Sequence, residues 1–459
     1  MRILFCKITQ NFYIPVGLSL YGSPAVILGQ PYKNNLLICE AAARWPRWVL
    51  NGMVLFPEIC CIFANPKQNH VIKKIGDNIV SPLGFTTEEN WRNLLAGHSG
   101  QQPYEQGFSL PEPFCASVIN NALLEKQFLA LPNPQNIRYT KMEKCALLSA
   151  TDAIHRAGID ATSHEVLFIL STTKGNVELL RDLQGYEPER PYLWRSAQLI
   201  AQYFGNPNEP IVVSNACISG CAAQVVAQRQ LEQGRYRYAI VIGADVLSQF
   251  IISGFQSFKA LSPEPCRPFD ADRTGLNLGE AAATMVFARA NQPEPTDLWL
   301  VNGALCNDAN HISAPSRTAE GLVKAIQQIL PETAIPQLAF VNAHGTATRY
   351  NDDMESVALQ RCGLDLLPVN SLKGYFGHTL GAAGVVESII SCQEINNGII
   401  LPTRGFTTPG TVAPIQVATM QEKTDKPLFI KMISGFGGSN AALLFAKNDA
   451  AILKNFKTE

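Results

Sequence analysis

The sequence offers one cysteine whose surroundings favour reactivity. It lies in Val212-Val213-Ser214-Asn215-Ala216-Cys217-Ile218-Ser219-Gly220, where a β-branched apolar run breaks into small residues. Ile211 to Val213 reads as a buried strand, and the segment from about Ile218 to Gly234 reads as a helix closed by a glycine. Cys217 therefore falls at a helix N-terminus. Unpaired backbone N–H groups and the positive end of the helix dipole favour an anion there, so the thiol should ionise more easily and the same N–H groups could hold a developing oxyanion. The arrangement suits a covalent acyl carrier.

Further along lie residues that could serve such a nucleophile. His344 is flanked by Ala343 and Gly345, and His378 follows Gly377 ahead of the small-residue run Gly381-Ala382-Ala383-Gly384. Lys373 follows the strand-like Pro368 to Leu372, and Glu387 sits among Val385, Val386 and Ile389, where a buried carboxylate needs a cationic partner; Lys373 is the candidate. Phe436, between glycines, reads as turn filler or as a mobile gate. Taken singly, a cysteine in an apolar stretch is usually a packed thiol and a loop histidine is usually solvated. Taken together they supply a nucleophile, two hydrogen-bond donors and a fixed positive charge, the set needed for acyl transfer.

These residues require a scaffold that brings strand ends together. From Val71 the pattern is regular: Val71 to Val80 reads as a strand, Thr87 to Ala96 as a helix, Lys141 to Gly158 as an amphipathic helix, and Val166 to Thr173 as a strand. Trp194 to Phe204 reads as a helix and Tyr238 to Asp245 as a continuous apolar strand. The second half repeats the theme with strands at Trp299 to Cys306 and Leu338 to Ala343 and helices at Ala319 to Ile329 and Met354 to Cys362. Such alternation predicts a mostly parallel, helix-covered α/β sheet with active groups at the carboxyl ends of strands. Gly437-Gly438 is no phosphate loop, since no lysine-serine or lysine-threonine pair follows, and a serine-hydrolase elbow is excluded by the cysteine and by the missing preceding glycine.

Composition sets outer bounds. The chain has 459 residues, a net charge of -1 and 46% apolar residues, which fits a soluble enzyme and argues against wholesale binding to nucleic acid or an anionic membrane. Apart from the short spacings Cys60-Cys61 and Cys217-x3-Cys221, its 12 cysteines fall singly in apolar surroundings and read as reduced thiols of a cytoplasmic protein, with no histidine or cysteine set spaced for structural zinc. Residues 1–70 lack sustained periodicity and read as a poorly ordered or gene-model extension; their apolar start is broken by Pro15, Gly17 and Gly22 and is too short to cross a bilayer, leaving a secretory signal as the lesser reading. The remaining divisions are an N-terminal half over 71–291, a C-terminal half over 292–448 and a tail over 449–459.

From about Val71 to Lys447 the chain resembles the elongating β-ketoacyl-acyl carrier protein synthases. The resemblance is carried, in order, by Ser81-Pro82-Leu83-Gly84, Asn215-Ala216-Cys217, Arg267-Pro268-Phe269-Asp270 through Gly279-Glu280, His344-Gly345-Thr346-Ala347-Thr348, Lys373 with Gly377-His378, Gly381 to Glu387, and Gly435 to Asn440. It implies a thiolase-like fold, two similar halves forming a five-layer αβαβα sandwich, and decarboxylative Claisen condensation. Cys217 would carry the acyl chain, with the N–H groups of Cys217 and Phe436 as oxyanion hole. His344 and His378 would stabilise the enolate formed from malonyl-carrier protein, Lys373 paired with Glu387 would polarise the histidines, and Thr346 and Thr348 would bind the pantetheine arm.

The same resemblance implies no permanently bound cofactor, substrates carried on the phosphopantetheine of an acyl carrier protein, and a homodimer or a heterodimer with a paralogue. Arg138, Lys141, Lys144 and Arg267 are candidate carrier-docking cations. The chain departs from the family at Asn215, where threonine is usual, at Arg349, where proline is usual, and at Ala281 to Ala283, where glycines are usual. Within fatty acid, polyene or polyketide-like biosynthesis, these departures point to a specialised synthase elongating polyene or polyketide-like chains instead of the housekeeping fatty-acid enzyme. The alternatives are a non-condensing partner subunit, which Cys217 argues against, and a thiolase-type acyltransferase, which needs a second cysteine as base.

Overall fold

A computed structural model describes residues 5–7, 13–15, 71–104, 112–132, 136–290, 297–311 and 314–447. Residues 1–67 form one compact unit and 68–459 another. Within the first, Phe5–Lys7 pairs antiparallel with Tyr13–Pro15; the expected character of 1–70 and of the tail 449–459 otherwise lies outside the described residues, as does the expected boundary at 291/292.

The second unit is built on ten strands. In chain order these are β1 (Val71–Val80), β2 (Val166–Ser171), β3 (Ile211–Val213), β4 (Tyr238–Asp245), β5 (Ala281–Ala290), β6 (Leu298–Asn307), β7 (Leu338–Asn342), β8 (Val369–Asn370), β9 (Leu428–Gly435) and β10 (Ser439–Lys447). They lie side by side as β8-β7-β9-β10-β6-β1-β5-β4-β2-β3. Each half repeats one plan: its first strand pairs antiparallel with its last, and the last pairs antiparallel with the fourth. The fourth then pairs parallel with the second and the second parallel with the third. The halves join where β6 pairs with β1. The sheet is therefore mixed, not mostly parallel: β5 and β10, read by composition alone, gave no sign of direction, because an antiparallel strand buried on both faces is as uniformly apolar as a parallel one.

Helices complete five layers. Labelled in chain order, they are α1 (Lys141–Ala157), α2 (Leu193–Tyr203), α3 (Ser219–Glu232), α4 (Gln249–Ser257), α5 (Glu320–Ile329), α6 (Arg349–Arg361) and α7 (Ala383–Asn397). α1 and α2 cover one outer face, and α5 and α6 the other. α3 and α7 lie buried between the two halves of the sheet. They cross at glycines: a Cβ on Gly384 would fall 2.4 Å from the Cys221 nitrogen, and one on Gly220 would fall 2.9 Å from Gly384 Cα. Both sites need glycine for close approach. α1 starts with a capping box, in which Thr140 accepts from Glu143 N–H and Glu143 accepts from Thr140 N–H, and it stops at Gly158 in the left-handed region. No helix among the described residues is long and apolar enough to cross a membrane.

Candidate active site

Cys217 follows β3 and precedes α3, whose first residue is Ser219. The turn is sharp, because Ala216 adopts φ 44°, a left-handed conformation that costs a residue with a side chain roughly 1–3 kcal/mol. Alanine thus makes the elbow that a glycine would be expected to supply. Two hydroxyl bonds brace it: Asn215 N–H donates to Ser219 Oγ (2.8 Å), and Ser439 Oγ donates to Asn215 Oδ1 (3.0 Å). The usual threonine is absent, and Asn215 instead ties the thiol loop to the strand after Phe436.

Cys217 is buried, at 7% exposure. Burial pushes the Cys217 thiol up to about 11, while the Lys373 charge and a hydrogen bond from the Phe436 N–H pull it down and Asp245 pushes it up. This corrects the expectation of a readily ionised thiol: the resting group is S–H, because removal from water outweighs nearby positive charge.

His344, after β7, and His378, after the helical turn Lys373–Phe376, converge on that sulfur. One ring nitrogen of each histidine and Cys217 Sγ all lie within 4.8 Å of one another, and the two rings meet edge to face at 5.0 Å. Burial first, then the charge of Lys373, holds both histidines well below their ordinary range, so both are neutral at neutral pH. Leu380 N–H donates to His378 Nδ1 (3.1 Å), which leaves the ring proton on Nε2, a buried atom with no protein acceptor. A metal at Nε2 would require that proton to move to Nδ1 and face the Leu380 N–H, so this tautomer suits an oxygen acceptor and not a cation.

Lys373 and Glu387 form the buried pair expected of them. A third member was not foreseen: Lys431, inside β9, also reaches Glu387 (2.6 Å). Glu387 is held below the usual carboxylate range despite burial, because Lys373 and Lys431 face it; burial in turn lowers Lys373, against the pull of Glu387. Lys431 occupies an apolar strand with no local signal of function.

Glu355 and Asp352, on α6, were also missed. Glu355 accepts the N–H groups of His344 and Gly345, each at 2.7 Å, and Asp352 accepts Thr346 N–H at 2.9 Å. Burial raises Glu355 to about 7 and Asp352 to about 6. Their Asp-x-x-Glu spacing on a helix following the histidine loop was the available signal. On the other side Asp245 accepts Thr172 Oγ1, Thr173 N–H and Gly381 N–H (2.7, 2.9 and 2.7 Å), fixing the segment after His378 to the first half.

Phe436 lines the cavity beside Cys217. Its ring stacks on Phe255 at 5.7 Å and meets Phe258 edge-on at 5.5 Å. Gly437 and Gly438 both take positive φ, and a Cβ on Gly435 would fall 3.0 Å from the Cys217 nitrogen, so backbone amides of both loops approach the sulfur. A cavity of about 580 Å³ leads from Cys217, His344 and His378 past Thr346 and Thr348, whose hydroxyls bond each other at 2.8 Å. No other cysteine lines it; Cys221 is buried against Gly384.

Three of the four expected docking cations have partners within the chain. Arg138 stacks over Tyr186 and donates to Gln184 O, Lys141 pairs with Glu280, and Lys144 pairs with Glu125. Arg267 is half-buried.

A buried thiol, two neutral imidazoles and opposed backbone amides, all at strand ends of a duplicated α/β sandwich, are the groups that acyl transfer through a cysteine would use. The comparisons sharpen this. Residues 71–292 match the beta-ketoacyl synthase N-terminal domain and residues 300–407 its C-terminal domain, and the chain belongs to the beta-ketoacyl synthase family. The 3-oxoacyl-[acyl-carrier-protein] synthase 2 of Rhizobium meliloti is 31% identical, over 81% of this chain and 97% of the relative. A putative mitochondrial 3-oxoacyl-[acyl-carrier-protein] synthase of Schizosaccharomyces pombe is 27% identical over 81% and 98%. Among solved structures, the ketosynthase ApeO in complex with its chain length factor ApeC from Xenorhabdus doucetiae has a TM-score of 0.72 at 23% identity, with 83% of this chain and 99% of that one covered.

Proposed function

We propose that this ketoacyl synthase condenses a Cys217-bound acyl chain with malonyl-carrier protein, releasing carbon dioxide. The observation that carries the reading is the convergence of Cys217 Sγ with the two imidazoles within 4.8 Å at the end of one cavity. The acyl carbonyl is transferred from the carrier's pantetheine sulfur to Cys217, with the amides of Cys217 and Phe436 receiving the oxyanion. Malonyl thioester then replaces the spent arm beside Thr346 and Thr348. As its carboxylate leaves as carbon dioxide, the negative charge collects on the thioester oxygen, where the Nε2–H of His378 and a neutral His344 receive it. The resulting carbanion attacks the acyl-enzyme carbonyl, forming the new carbon–carbon bond as the carbon–sulfur bond breaks, and the released Cys217 thiolate takes up a proton from solvent to return the thiol. Burial, and after it the charge of Lys373, which Glu387 holds in place, keeps both imidazoles unprotonated.

The partner is an acyl carrier protein, the product belongs to fatty acid, polyene or polyketide-like synthesis, and the cytoplasm, where a thiol nucleophile stays reduced, is the working compartment. The half-buried β-branched strand Ile211–Val213 ends the ten-stranded sheet and is the face we assign to a second copy of the chain. Carbon dioxide release from malonyl-carrier protein by the purified chain tests the reading: release that persists in Cys217→Ala and disappears in His344→Ala supports it, and release only after a paralogue is added refutes it in favour of a silent subunit.

A further inference from the structure

The buried ion cluster behind the imidazoles carries one more positive charge than a salt bridge needs. Glu387 already pairs with Lys373 through one carboxylate oxygen, and Lys431, 0% exposed inside β9, brings a second ammonium to within 2.6 Å of the other. Lysine is an unfavourable residue there. On either side of it β9 runs Leu428-Phe429-Ile430 and Met432-Ile433, and an apolar side chain at 431 would leave a neutral Lys373–Glu387 pair with no uncompensated charge out of water. Glu355, a further carboxylate on which the Lys431 charge acts, is already occupied by the N–H groups of His344 and Gly345. Stability therefore does not account for Lys431.

Its place in the sheet shows what it reaches. Lys431 pairs with Asn342 in the parallel ladder of β9 and β7, and its Nζ lies 3.4 Å from the carbonyl oxygen of Ala343, the residue directly before His344. Asn342 donates to Asn370 Oδ1 (2.8 Å), while its own Oδ1 is buried with no protein donor, so the root of the His344 loop presents acceptors to the strand that holds the ammonium. On its other side Lys431 meets Glu387 on α7, the helix that follows His378. One side chain thus joins the two histidine loops. The groups on which its charge acts are Glu387 on α7, Glu355 on α6, Cys221 on α3, Lys373 and the two imidazoles. Burial first and Lys373 next keep those imidazoles neutral, and Lys431 acts in the same direction on both.

We propose that Lys431 is a positioning residue for decarboxylation: its ammonium ties the Glu387 carboxylate to the Ala343 carbonyl and so holds His344 where the negative charge of the thioester enolate collects. The proposal rests on the condensing reaction above and adds the group that couples its two histidine loops. Because Glu387 neutralises only one of the two lysines, the cluster keeps a net positive charge. A positive charge fixed away from water favours an oxyanion forming at the imidazoles over the neutral thioester that precedes it. Loading of Cys217 places its oxyanion on the amides of Cys217 and Phe436 instead, so Lys431, which reaches the site through His344, bears on decarboxylation and not on loading.

Two partial rates of the same protein test this: loading of Cys217 from an acyl-carrier protein, read by intact mass, and carbon dioxide release from malonyl-carrier protein. In Lys431→Met the kcat of release should fall roughly 10-fold or more with KM kept within about 2-fold, the pattern of an interaction made only in the transition state by a group that must be aligned. Loading should stay within about 2-fold of the unmodified chain, since it does not use the enolate site. Lys431→Gln, which can still donate to Ala343 O but carries no charge, should be as slow in release as Lys431→Met, and it carries the same comparison if the methionine variant does not fold. Lys74→Met, which breaks the ion pair with Asp77 in β1, should leave the ratio of the two rates unchanged. Equal slowing of loading and release overturns the proposal, because a general loosening of the fold gives that result. Release at full rate in Lys431→Met overturns it too, as does full recovery in Lys431→Gln. Absence of release from the unmodified chain is failure of the condensing reaction itself, whereas release from the unmodified chain that Lys431→Met leaves untouched is failure of the Lys431 proposal alone.

Discussion

The two halves of the sandwich lay out five strands in the same order and the same directions, yet they treat charge in opposite ways. In the first half α3, the helix behind Cys217, faces α7 with neutral side chains; Gln224 donates to Gly384 O (3.1 Å) and Ser388 Oγ (3.2 Å). One of its buried ion pairs, Arg190 with Glu143, lies on the outer side of the sheet, where it braces Asn176 and Ser196. In the second half the matching helix α7 carries two buried carboxyls into the centre. Glu387 meets Lys373 and Lys431, whereas Glu394 accepts from the Asn370 amide (2.6 Å) and Leu401 N–H (2.7 Å), neither of them charged, and is pushed by burial up to about 8. Equivalent backbone therefore delivers a neutral nucleophile from one side and a charged field from the other. A duplicated fold can divide acyl carriage from carbanion stabilisation because strand-end loops vary freely over a fixed layout.

The comparison can be broken most severely at its charges. Glu387→Gln leaves two buried ammonium groups facing each other, and Glu143→Gln leaves Arg190 without its buried partner; each should lower unfolding free energy by about 3–5 kcal/mol in denaturant titrations. Only the Glu387 variant should also alter carbon dioxide release, since only that pair stands by the imidazoles. A variant Glu143→Gln that impairs chemistry as much as stability would erase the distinction between outer and inner pairs.

The crossing of α3 and α7 comes next. Gly384→Ala pushes a methyl group against the Cys221 amide and should cost about 1–3 kcal/mol. Because the cost is paid between the Cys217 and His378 loops, the rate of condensation should fall further than the stability loss explains.

Proton binding sets groups of the second half against one another. Glu394, raised to about 8, stabilises the fold fully below the ordinary carboxylate range, and this contribution is lost as pH rises through about 8. Stability of the native chain should decline between pH 5 and 8, and Glu394→Gln, which keeps the acceptor oxygen, should flatten that decline. The lowered histidines act in the opposite sense: their contribution is present above about pH 6.5 and is lost as pH falls further, because the unfolded chain takes up protons that the buried rings refuse. A melting-temperature series across pH 5–9 for Glu394→Gln and His378→Ala separates these slopes.

On the thiol side, alkylation of Cys217 should rise about tenfold per pH unit from 7 to 9 with no plateau, as a buried S–H titrating near 11 requires. A plateau at neutral pH would restore the picture of a preformed thiolate. The smallest effect is expected at Asn215→Ala, which removes the Ser439 bond and should cost about 0.5–1.5 kcal/mol while loosening the Phe436 turn.

Sequence reasoning reached the reactive side chains because each carries a local mark. Cys217 stands at a strand-to-helix break, His344 and His378 among small residues, and Lys373 and Phe436 on loops after apolar strands. Glu387 was legible through its apolar neighbours, since a carboxylate in such company must find a cation. Lys431 was not, because within β9 it is one polar residue in an apolar run and its partner is 44 positions away. Glu355 and Asp352 were not, because a helical acid bonding a distant loop's amides looks the same in sequence as a solvated one.

By itself, then, the sequence determined the residue types, the strand and helix alternation, and through ordered motifs the condensing family, since these depend on periodicity and spacing along the chain. Tertiary structure alone decided the direction of β5 and β10, the Lys373–Glu387–Lys431 grouping, the tautomer of His378 and the protonation of Cys217. Each of these depends on what surrounds a group after folding. Removal from water and the approach of charges remote in sequence set them, and in Cys217 they reversed the ionisation that its place before a helix had favoured.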